Sequence, residues 1–473
     1  MATPRAIFWF RRDLRLADNP ALLAAAQRGD GDVTALFIVD DTFARPAGTT
    51  RVEFLRRTLD SLDVSLGGRL NVLVGDPVEV LTRVARDVGA RLVVATDDFG
   101  PRGRQRDRRV QEVLANRGIS VEFVDSPYAV KPGTILSKSG TPYQVFSAFR
   151  RSWELEATTA PLTSPSAVSW RATESVTLDE LSSRAASSRP AYFGDLPDAK
   201  AAVTIEAGEP AAQRQLTRFA SSVDDYQGSR DFPGVEGTSH LSAYLRFGSL
   251  HPRQVLWELS GDAEGRRTFR AEIGWREFYA DVMLHRPDSA YRVMQKSLEH
   301  LRVDDDARAV ERFAVWAKGE TGFPLVDAGM RQLLSEGWMH NRVRMVCASF
   351  LVKHLHLDWR WGARWFMWRL VDADLASNQH GWQWTAGTGT DAAPFERIFN
   401  PTLQAQRFDP RGEYVRRYVP ELATVPVPDC LLPGGGAGLL SASYASPMLD
   451  ALAERREALA RFAQARDLAR IRS

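Results

Sequence analysis

Five short apolar runs near the start of the chain constrain its fold more than any other feature. They are AIFWF, VTALFIVD, LNVLVGD, RLVVATD and ISVEFVD, and the residues between them carry apolar side chains at helical spacing. Continuous apolar strands that alternate with helices are typical of a parallel sheet, because helices cover both of its faces. We therefore predict an α/β domain with a doubly wound parallel sheet over residues 1–130.

The segment after the first apolar run excludes one familiar kind of nucleotide site. RRDLRLADNP stands where a dinucleotide-binding domain would carry the G-x-G-x-x-G fingerprint. Asp18 or Asn19, followed by Pro20, predicts a helix N-cap with proline at the first helical position. We therefore expect an ordinary capped helix after the first strand.

The rest of the chain divides by composition. Residues 131–210 are rich in Ser, Ala, Pro and Thr, which indicates an interdomain linker. From residue 211 to residue 473 the apolar spacing is helical nearly throughout, which predicts a large all-α domain. A chain of 473 residues also exceeds what one hydrophobic core usually supports. We expect two folded domains joined by the linker.

Composition excludes several classes of protein. No apolar run reaches the length of a membrane span, and arginines follow the first apolar run too closely for a secretory signal. Two cysteines, Cys347 and Cys430, cannot build a disulfide framework or a zinc site, so we predict no metal centre. A net charge of +2 neither indicates nor excludes a nucleic-acid partner. These features fit a cytoplasmic protein.

Residues 372–401 combine polar and aromatic side chains in a way that a core does not need. Asp372, Asp374 and Asn378 stand close in sequence to Trp382 and Trp384. Burying carboxylates and amides without partners costs kilocalories for each group. The segment is therefore either a solvated loop that holds indoles or the wall of a site, and we favour the wall of a site.

A glycine-rich turn near residue 237 predicts a helix N-terminus. The sequence GTSHLSAYLRFG places a Gly-Thr-Ser turn directly before an apolar run. Free N–H groups at a helix start favour an anion such as phosphate. A simple Ser/Thr cap explains the turn equally, and the turn alone favours that simpler interpretation.

Two other helical segments mix polar and aromatic side chains on one face. Glu272, Trp275 and Arg276 share a face at spacings of three and four residues, either as a solvated surface or as an acceptor beside a stacking platform. Asn341 and Met345 lie one turn apart in GWMHNRVRM, with arginines adjacent. An amide, a thioether and guanidinium groups together are unusual for a core and natural for a pocket.

These segments, in this order, resemble the DNA photolyase/cryptochrome flavoprotein family, most closely the class I cyclobutane pyrimidine dimer photolyases. The resemblance extends from WFRRDLRLADNPAL at residues 9–22 to FDPRGEYVRRYVPEL at residues 408–422. It is densest in RDFPGVEGTSHLS, WREFY, FPLVDAGMRQLLSEGWMHNRVRM and DADLASNQHGWQWTAGTGTDAAPFERIFNP. A set of motifs this long in the family's order is very specific.

The resemblance implies that the helical domain binds FAD, with the reduced form FADH⁻ active. The positions that match the family's phosphate and ribose contacts are Tyr226, Thr238, Ser239, Leu241 and Ser242. The positions that match the surroundings of the ribose and isoalloxazine ring are Arg276, Arg344, Asp372, Asp374 and Asn378. Among them, Asn378 matches the residue that faces flavin N5.

The resemblance also implies a substrate, DNA that contains a cyclobutane pyrimidine dimer. Such a dimer must be flipped out of the duplex, and indole faces suit the extruded bases. Residues matching the walls of the substrate pocket are Glu272, Trp275, Asn341, Met345 and Trp384, and residues matching phosphate contacts are Arg230, Arg342 and Arg397. We expect Glu272, protonated because desolvation raises its pKa, and Asn341 to donate hydrogen bonds as charge develops on the dimer.

The electron path that the family uses to reduce its flavin is incomplete in this sequence. Trp382 and Trp359 match its proximal and middle tryptophans, but the distal position holds Asp306. A carboxylate cannot relay an electron hole as an indole does. Either another aromatic residue, Trp361 or Trp316, takes the last step, or photoreduction is poor.

The N-terminal domain of the family carries a light-harvesting second chromophore. The segment DDFGPRGRQRD at residues 97–107 falls where an antenna-contacting loop is expected, with Arg51 and Asp98 as contacts. This segment is more similar to the loop of family members that bind 8-hydroxy-deazaflavin than to the loop of those that bind methenyltetrahydrofolate. Three alternatives stay open: a deazaflavin antenna, a folate antenna, or no antenna.

The resemblance implies a lyase that uses blue light to split the cyclobutane ring and restore two pyrimidines. The alternative is a cryptochrome-like blue-light sensor that signals through the redox state of its flavin. Asn378, Glu272 and Met345 favour repair, because sensors usually replace the asparagine that faces N5. We expect a monomer that acts on UV-damaged DNA and has no membrane partner.

Overall fold

The computed structural model describes residues 5–44, 46–165, 168–172, 196, 201–391, 394–437 and 443–472. Contacts divide the chain into two compact units. The first unit comprises Met1–Pro190, Ile205–Asp224 and Ser239–Pro287, and the second comprises Ala191–Thr204, Asp225–Thr238 and Asp288–Ser473. Much of the predicted linker, residues 173–195 and 197–200, lies outside the described residues. The domain limits at residues 130 and 210 stay a prediction.

The first unit contains the predicted parallel sheet. Its strands in the described part of the chain are β1 Ala6–Phe10, β2 Asp32–Val39, β3 Asn71–Val74, β4 Leu92–Thr96, β5 Ser120–Val124 and β6 Ser169–Trp170. The order is β3-β2-β1-β4-β5, with β6 paired to β2, and every pairing is parallel. The five apolar runs form β1 to β5, which confirms the predicted fold class. The two-residue strand β6 has no such signal.

Helices flank this sheet and extend the first unit. They are Pro20–Arg28, Asp41–Ala44, Thr49–Ser65, Pro77–Val88, Pro101–Asn116, Phe146–Glu156, Glu209–Ala220, Ser242–Phe247, Pro252–Glu258 and Glu264–His285. Asn19 caps the first helix, because its side chain accepts a hydrogen bond from the Leu22 amide. This agrees with the prediction of an N-cap at Asp18 or Asn19, directly before Pro20. The sheet is covered by a core that includes Ile7, Trp9 and Leu81.

The second unit is helical, as the apolar spacing predicted. Its α-helices are Tyr226–Ser229, Ala307–Lys318, Pro324–Glu336, Asn341–Lys353, Trp359–Arg369, Leu375–Ala386, Pro401–Phe408, Glu413–Tyr418 and Ala451–Arg472. Its core is rich in aromatic residues and includes Trp316, Phe350, Trp365 and Tyr414. Within the described part of the chain, no helix combines the length and the apolar character needed to cross a membrane.

Candidate functional site

A buried carboxylate with one unused oxygen lies in the second unit. Asp372 is 8% exposed, and its Oδ2 accepts a hydrogen bond of 2.8 Å from Nη2 of Arg344. Arg344 is itself fixed, because its Nε donates to the carbonyl oxygen of Met339 at 2.8 Å. Oδ1 of Asp372 is buried and has no partner within the described residues. Since buried carboxylate oxygens are normally bonded, this atom fits a donor group of a bound cofactor.

The side-chain amide of Asn378 is held in one orientation by two hydrogen bonds. It lies on the helix Leu375–Ala386, which Asp374 caps by accepting a hydrogen bond of 3.1 Å from the Ser377 amide. Nδ2 of Asn378 donates to the carbonyl oxygen of Ala363 at 3.1 Å and to Oε1 of Gln379 at 2.9 Å. With both donors used, Oδ1 of the half-buried amide is the atom that can accept from a ligand.

The same helix presents its two indoles in different environments. Trp382 is buried at 3% exposure, whereas Trp384 is half-buried. Residues two apart on a helix point to different sides, since each residue turns the chain by about 100°. Gln383 between them is structural, because its Nε2 donates to the carbonyl of Ser289 at 2.7 Å and its Oε1 accepts from the Met294 amide at 3.2 Å.

The rings around Trp382 differ from the expected electron path. Its centroid lies 5.0 Å from Phe366 and 6.2 Å from Trp316, both in edge-on contact. Trp359 is buried at the start of the helix Trp359–Arg369, but no ring contact joins it to Trp382, and both residues are described. Phe313 links Trp316 to the half-buried Trp361, with centroid distances of 5.6 Å on each side. The structure therefore offers a second aromatic route.

The helix Asn341–Lys353 carries its predicted site residues on its first turns. Asn341 is exposed at the first position, and Met345 is half-buried one turn later. Arg342 is paired with Asp231 through bonds of 2.7 and 3.2 Å, and its Nη1 lies 4.0 Å from the sulfur of Met345. The arginine therefore orders the thioether and has part of its charge neutralised by Asp231.

The segment Asp225–Thr238 belongs to the second unit and carries three predicted site residues. Tyr226 is buried at 9% exposure, and the guanidinium carbon of Arg230 lies 5.5 Å from the centre of its ring. Arg230 and Thr238 are half-buried. Nε of Arg230 also lies 3.9 Å from Oδ1 of Asp231, so its charge is partly paired within the protein while its ring contact packs the stem.

The predicted helix N-terminus after the glycine-rich turn is present in the first unit. A helix begins at Ser242, which is exposed, and Leu241 before it is buried at 1% exposure. Oγ of Ser239 accepts a hydrogen bond of 3.3 Å from the Leu241 amide. The expectation of a helix start is confirmed, but Ser239 forms a local turn before the helix, whose N-cap Leu241 has no side-chain cap hydrogen bond.

The helix Glu264–His285 places Glu272, Trp275 and Arg276 in half-buried positions of the first unit. Arg276 is largely committed to the protein, because Nη1 and Nη2 each donate a 3.2 Å hydrogen bond to a backbone carbonyl, those of Pro127 and Leu245. One face of Trp275 is covered by a phenylalanine ring.

Arg397 is exposed, and its backbone carbonyl is bonded to the buried Lys353. Nζ of Lys353 donates to the carbonyl oxygen of Arg397 at 3.1 Å, and the guanidinium carbon of Arg397 lies 5.6 Å from the ring centre of Phe399. Burial, together with the charge of Arg397, lowers the pKa of Lys353 to about 8. A lysine in this setting anchors the loop that presents Arg397 to solvent.

The two residues predicted for an antenna are already used within the domain. Asp98 accepts from the Gly100 amide at 3.0 Å and from Arg106 at 3.2 Å. Burial alone would raise the pKa of Asp98, but the charges of nearby arginines, Arg106 first, outweigh burial and lower it. Arg51 is buried and donates to the carbonyl of Pro46 at 3.2 Å. Both side chains therefore have structural partners.

His380 is a buried residue to which the sequence assigned no role. Its Nδ1 lies 2.9 Å from the carbonyl oxygen of Ala376 and its Nε2 lies 3.1 Å from the hydroxyl of Ser289. Burial lowers the pKa of His380 to about 4. The imidazole is therefore neutral at pH 7 and joins the helix Leu375–Ala386 to the segment that contains Ser289. A single histidine in a polar segment gives no sequence signal of burial.

Comparison with known proteins decides the family. Residues 6–166 match the family model for DNA photolyase, and residues 269–464 match the model for the FAD binding domain of DNA photolyase. The deoxyribodipyrimidine photo-lyase of Agrobacterium fabrum is 38% identical over 436 residues, covering 89% of this chain and 88% of the relative. The chain belongs to the DNA photolyase family.

Solved photolyase-family structures share the fold over nearly the whole chain. A bacterial class III photolyase from Agrobacterium tumefaciens is 36% identical with a TM-score of 0.87, covering 99% of this chain and 98% of that one. A Synechocystis cryptochrome is 26% identical with a TM-score of 0.83, covering 97% and 99%. Because a class III enzyme is this similar, the narrower assignment to class I stays a prediction.

Proposed function

We propose that this photolyase is a deoxyribodipyrimidine photo-lyase, a carbon–carbon lyase that uses blue light to split cyclobutane pyrimidine dimers in DNA. The observation that carries the proposal is the polar arrangement of Arg344, Asp372 and Asn378 inside the region that matches the FAD binding domain of DNA photolyase. Its curated relative is a deoxyribodipyrimidine photo-lyase. The identity of 38% over most of both chains supports the same chemistry here.

The residues of this arrangement fit reduced FAD. When bound, FADH⁻ supplies one electron on excitation by blue light. Oδ1 of Asp372, which is buried without a partner among the described residues, would accept a hydrogen bond from the cofactor, and Arg344 holds that carboxylate in place. Oδ1 of Asn378 would accept from the N–H that reduced flavin carries at N5. We assign the contacts with the phosphates and ribose of FAD to Tyr226, Thr238, Ser239, Leu241 and Ser242. Further contacts around the ribose and isoalloxazine ring are assigned to Arg276 and Asp374.

The substrate side of the proposal uses indoles and neutral donors. Trp275 and Trp384 are half-buried, so each offers part of a flat face on which an extruded pyrimidine can stack. Glu272 and Asn341 would donate hydrogen bonds to the dimer carbonyls as negative charge develops there. Met345 would line the same pocket. If Glu272 acts in this way, Glu272→Ala lowers repair yield more than it lowers binding, and an unchanged yield would remove its role.

DNA affinity in the proposal comes from arginine contacts with phosphates, which specify no sequence. Arg397 is exposed, so its guanidinium group can reach an anion, whereas Arg230 is half-buried over a ring and lies 3.9 Å from Asp231. Arg342 already pairs with Asp231. We therefore expect Arg397→Ala to weaken binding at low salt more than Arg342→Ala does.

The proposed route of flavin photoreduction starts at Trp382. The sequence pattern favours Trp359 as the next donor, whereas ring contact favours Trp316, with the half-buried Trp361 beyond Phe313. Asp306 at the aligned distal position caps the helix Ala307–Lys318 by accepting from the Ala309 amide at 2.8 Å. The carboxylate thus has a structural role.

Three further expectations belong to the proposal. The protein acts as a monomer, and it works in the cytoplasm. An antenna of the 8-hydroxy-deazaflavin type, or alternatively methenyltetrahydrofolate, would bind the first unit near Arg51 and Asp98. The structural partners of both residues imply that such a ligand adds contacts to side chains that are already ordered.

The decisive experiment uses the flavin-loaded full chain, chemically reduced and kept without oxygen. It is mixed with an oligonucleotide that contains one thymine dimer and exposed to blue light, and the restored strand is separated and quantified. We expect restoration in light and none in darkness. Binding without restoration would overturn the repair function and favour the light-sensor alternative.

A further inference from the structure

Trp275 forms a stacked pair with Phe146. The two ring centroids lie 3.8 Å apart and the planes are 16° from parallel. Phe146 begins the helix Phe146–Glu156 and is 7% exposed, and Trp275 lies on the helix Glu264–His285 of the same unit. One face of the indole is therefore covered by a ring from a distant part of the sequence.

The helix that carries Phe146 is firmly attached beneath Trp275. Nε1 of Trp153 donates to the buried carboxylate of Glu277 at 2.6 Å, and Phe149 packs on Phe278 with centroids 5.3 Å apart. The helices approach closely because Gly274 has no side chain, since a Cβ there would lie 3.3 Å from the Trp153 ring and 3.5 Å from Phe146. The covering ring is thus held by an independent set of contacts.

Other rings restrict Trp275 on its edges. Phe278 lies edge-on at 5.8 Å and Tyr279 lies tilted at 5.3 Å. The indole can neither rotate toward its own helix nor expose the face that Phe146 covers without breaking the stack. Since Trp275 remains half-buried, part of its ring still reaches solvent.

We propose that Phe146 is a positioning residue for the substrate, which fixes Trp275 so that the indole offers a single face to an extruded pyrimidine. The proposal rests on the proposed function, in which Trp275 stacks on the lesion. A fixed indole loses little freedom when a base binds, whereas a loose one must be ordered at that moment. Loss of one aromatic stack should weaken dimer binding roughly two- to tenfold.

Phe146→Leu removes the flat ring and keeps most of its apolar volume. The matched control is Phe149→Leu, the same change on the same helix, at a ring that contacts Phe278 rather than Trp275. The measurement is the dissociation constant for a fluorescent oligonucleotide that contains one thymine dimer, taken in darkness with the flavin-loaded chain. Undamaged DNA of the same sequence and the flavin content are measured in parallel.

We expect Phe146→Leu to weaken dimer binding roughly two- to tenfold, with unchanged affinity for undamaged DNA and unchanged flavin content. Phe149→Leu should weaken dimer binding less than Phe146→Leu does, because the Phe149 ring reaches Trp275 only through Phe278. In a Trp275→Ala background, Phe146→Leu should have no further effect, because contacting residues are non-additive when one acts through the other.

An equal loss in the Trp275→Ala background, an equal loss in Phe149→Leu, or no loss in Phe146→Leu would each overturn the proposal. If Phe146→Leu does not fold, Phe146→Met makes the same test, because methionine adapts to irregular gaps. Failure of the proposed function is separable, since it leaves light-driven repair absent in the unmodified chain. The positioning role is tested by binding in darkness.

Discussion

Gly362 gives a sharp test of how Trp382 is packed. An added Cβ at Gly362 would lie 2.6 and 2.7 Å from Cζ3 and Cζ2 of the buried indole, and closer still to Cη2. Gly381, on the helix Leu375–Ala386, has nothing within 4 Å of the same added atom. Both glycines lie inside helices, so Gly→Ala has the same intrinsic helix benefit at each position.

The free energies of unfolding of the two variants should therefore differ only by the cost of packing the added methyl group. Alanine stabilises a helix by about 1 kcal/mol relative to glycine. Overpacking a filled core costs about 1–3 kcal/mol, because the indole or the backbone must shift. We expect Gly381→Ala to gain about 1 kcal/mol, and Gly362→Ala to lose up to about 2 kcal/mol net.

Urea unfolding of the two variants and of the unchanged chain measures these free energies. The rate at which blue light reduces oxidised, bound flavin provides a second readout. We expect Gly362→Ala to slow this reduction, since Trp382 must move, and Gly381→Ala to leave it unchanged. Equal stability of the two variants, with equal rates of photoreduction, would refute this packing of Trp382 against Gly362.

The other predictions concern charge, pH and electron transfer. Arg344→Met leaves the Asp372 carboxylate buried without its cation, so the folded state should lose about 3–5 kcal/mol, and flavin content measured by absorbance should fall; full retention of flavin would contradict this. Because the folded-state pKa of His380 is about 4, below its unfolded value, the unfolded state binds more protons between pH 6.5 and 4. Stability should therefore fall by about 3 kcal/mol as pH falls through that window, and urea unfolding of His380→Gln should lack this component; identical pH profiles would rule it out. Trp359→Phe should abolish flavin photoreduction if the electron passes through Trp359, as the sequence pattern predicts, whereas Trp316→Phe should abolish it if the electron passes through the ring contact with Trp316. Transient absorption of the flavin distinguishes the two routes. Photoreduction retained in both variants would exclude both.

The parts of the fold that the sequence predicted depend on local patterns. Each of the five apolar runs that form β1 to β5 predicts a strand by itself, without reference to the rest of the chain. The helix cap at Asn19 is equally local, because it involves only residues 19–22. The two-residue strand β6 is too short to show a pattern. Its pairing with β2 depends on chain return across more than a hundred residues.

The site was predicted as a set of residues and not as a set of contacts. The motifs placed Asp372 and Asn378 in a polar wall, but nothing local indicates that Asn378 is bonded to Ala363 or that Oδ1 of Asp372 has no partner in the part of the chain that the structure describes. The stack of Phe146 on Trp275 joins residues more than a hundred positions apart. Such pairings depend on tertiary packing, which periodicity cannot encode.

If the proposed function is right, the electron that the reduced flavin gives to the dimer comes back to the flavin once the cyclobutane ring is split, so the flavin is not consumed. The most direct measurement follows the reduced, flavin-loaded chain with excess thymine-dimer DNA under continuous blue light without oxygen, recording restored pyrimidines and the flavin spectrum together. The account predicts many dimers restored for each bound flavin, with the spectrum of the reduced flavin unchanged. Stoichiometric oxidation of the flavin, or bound DNA with no dimers restored, would contradict it.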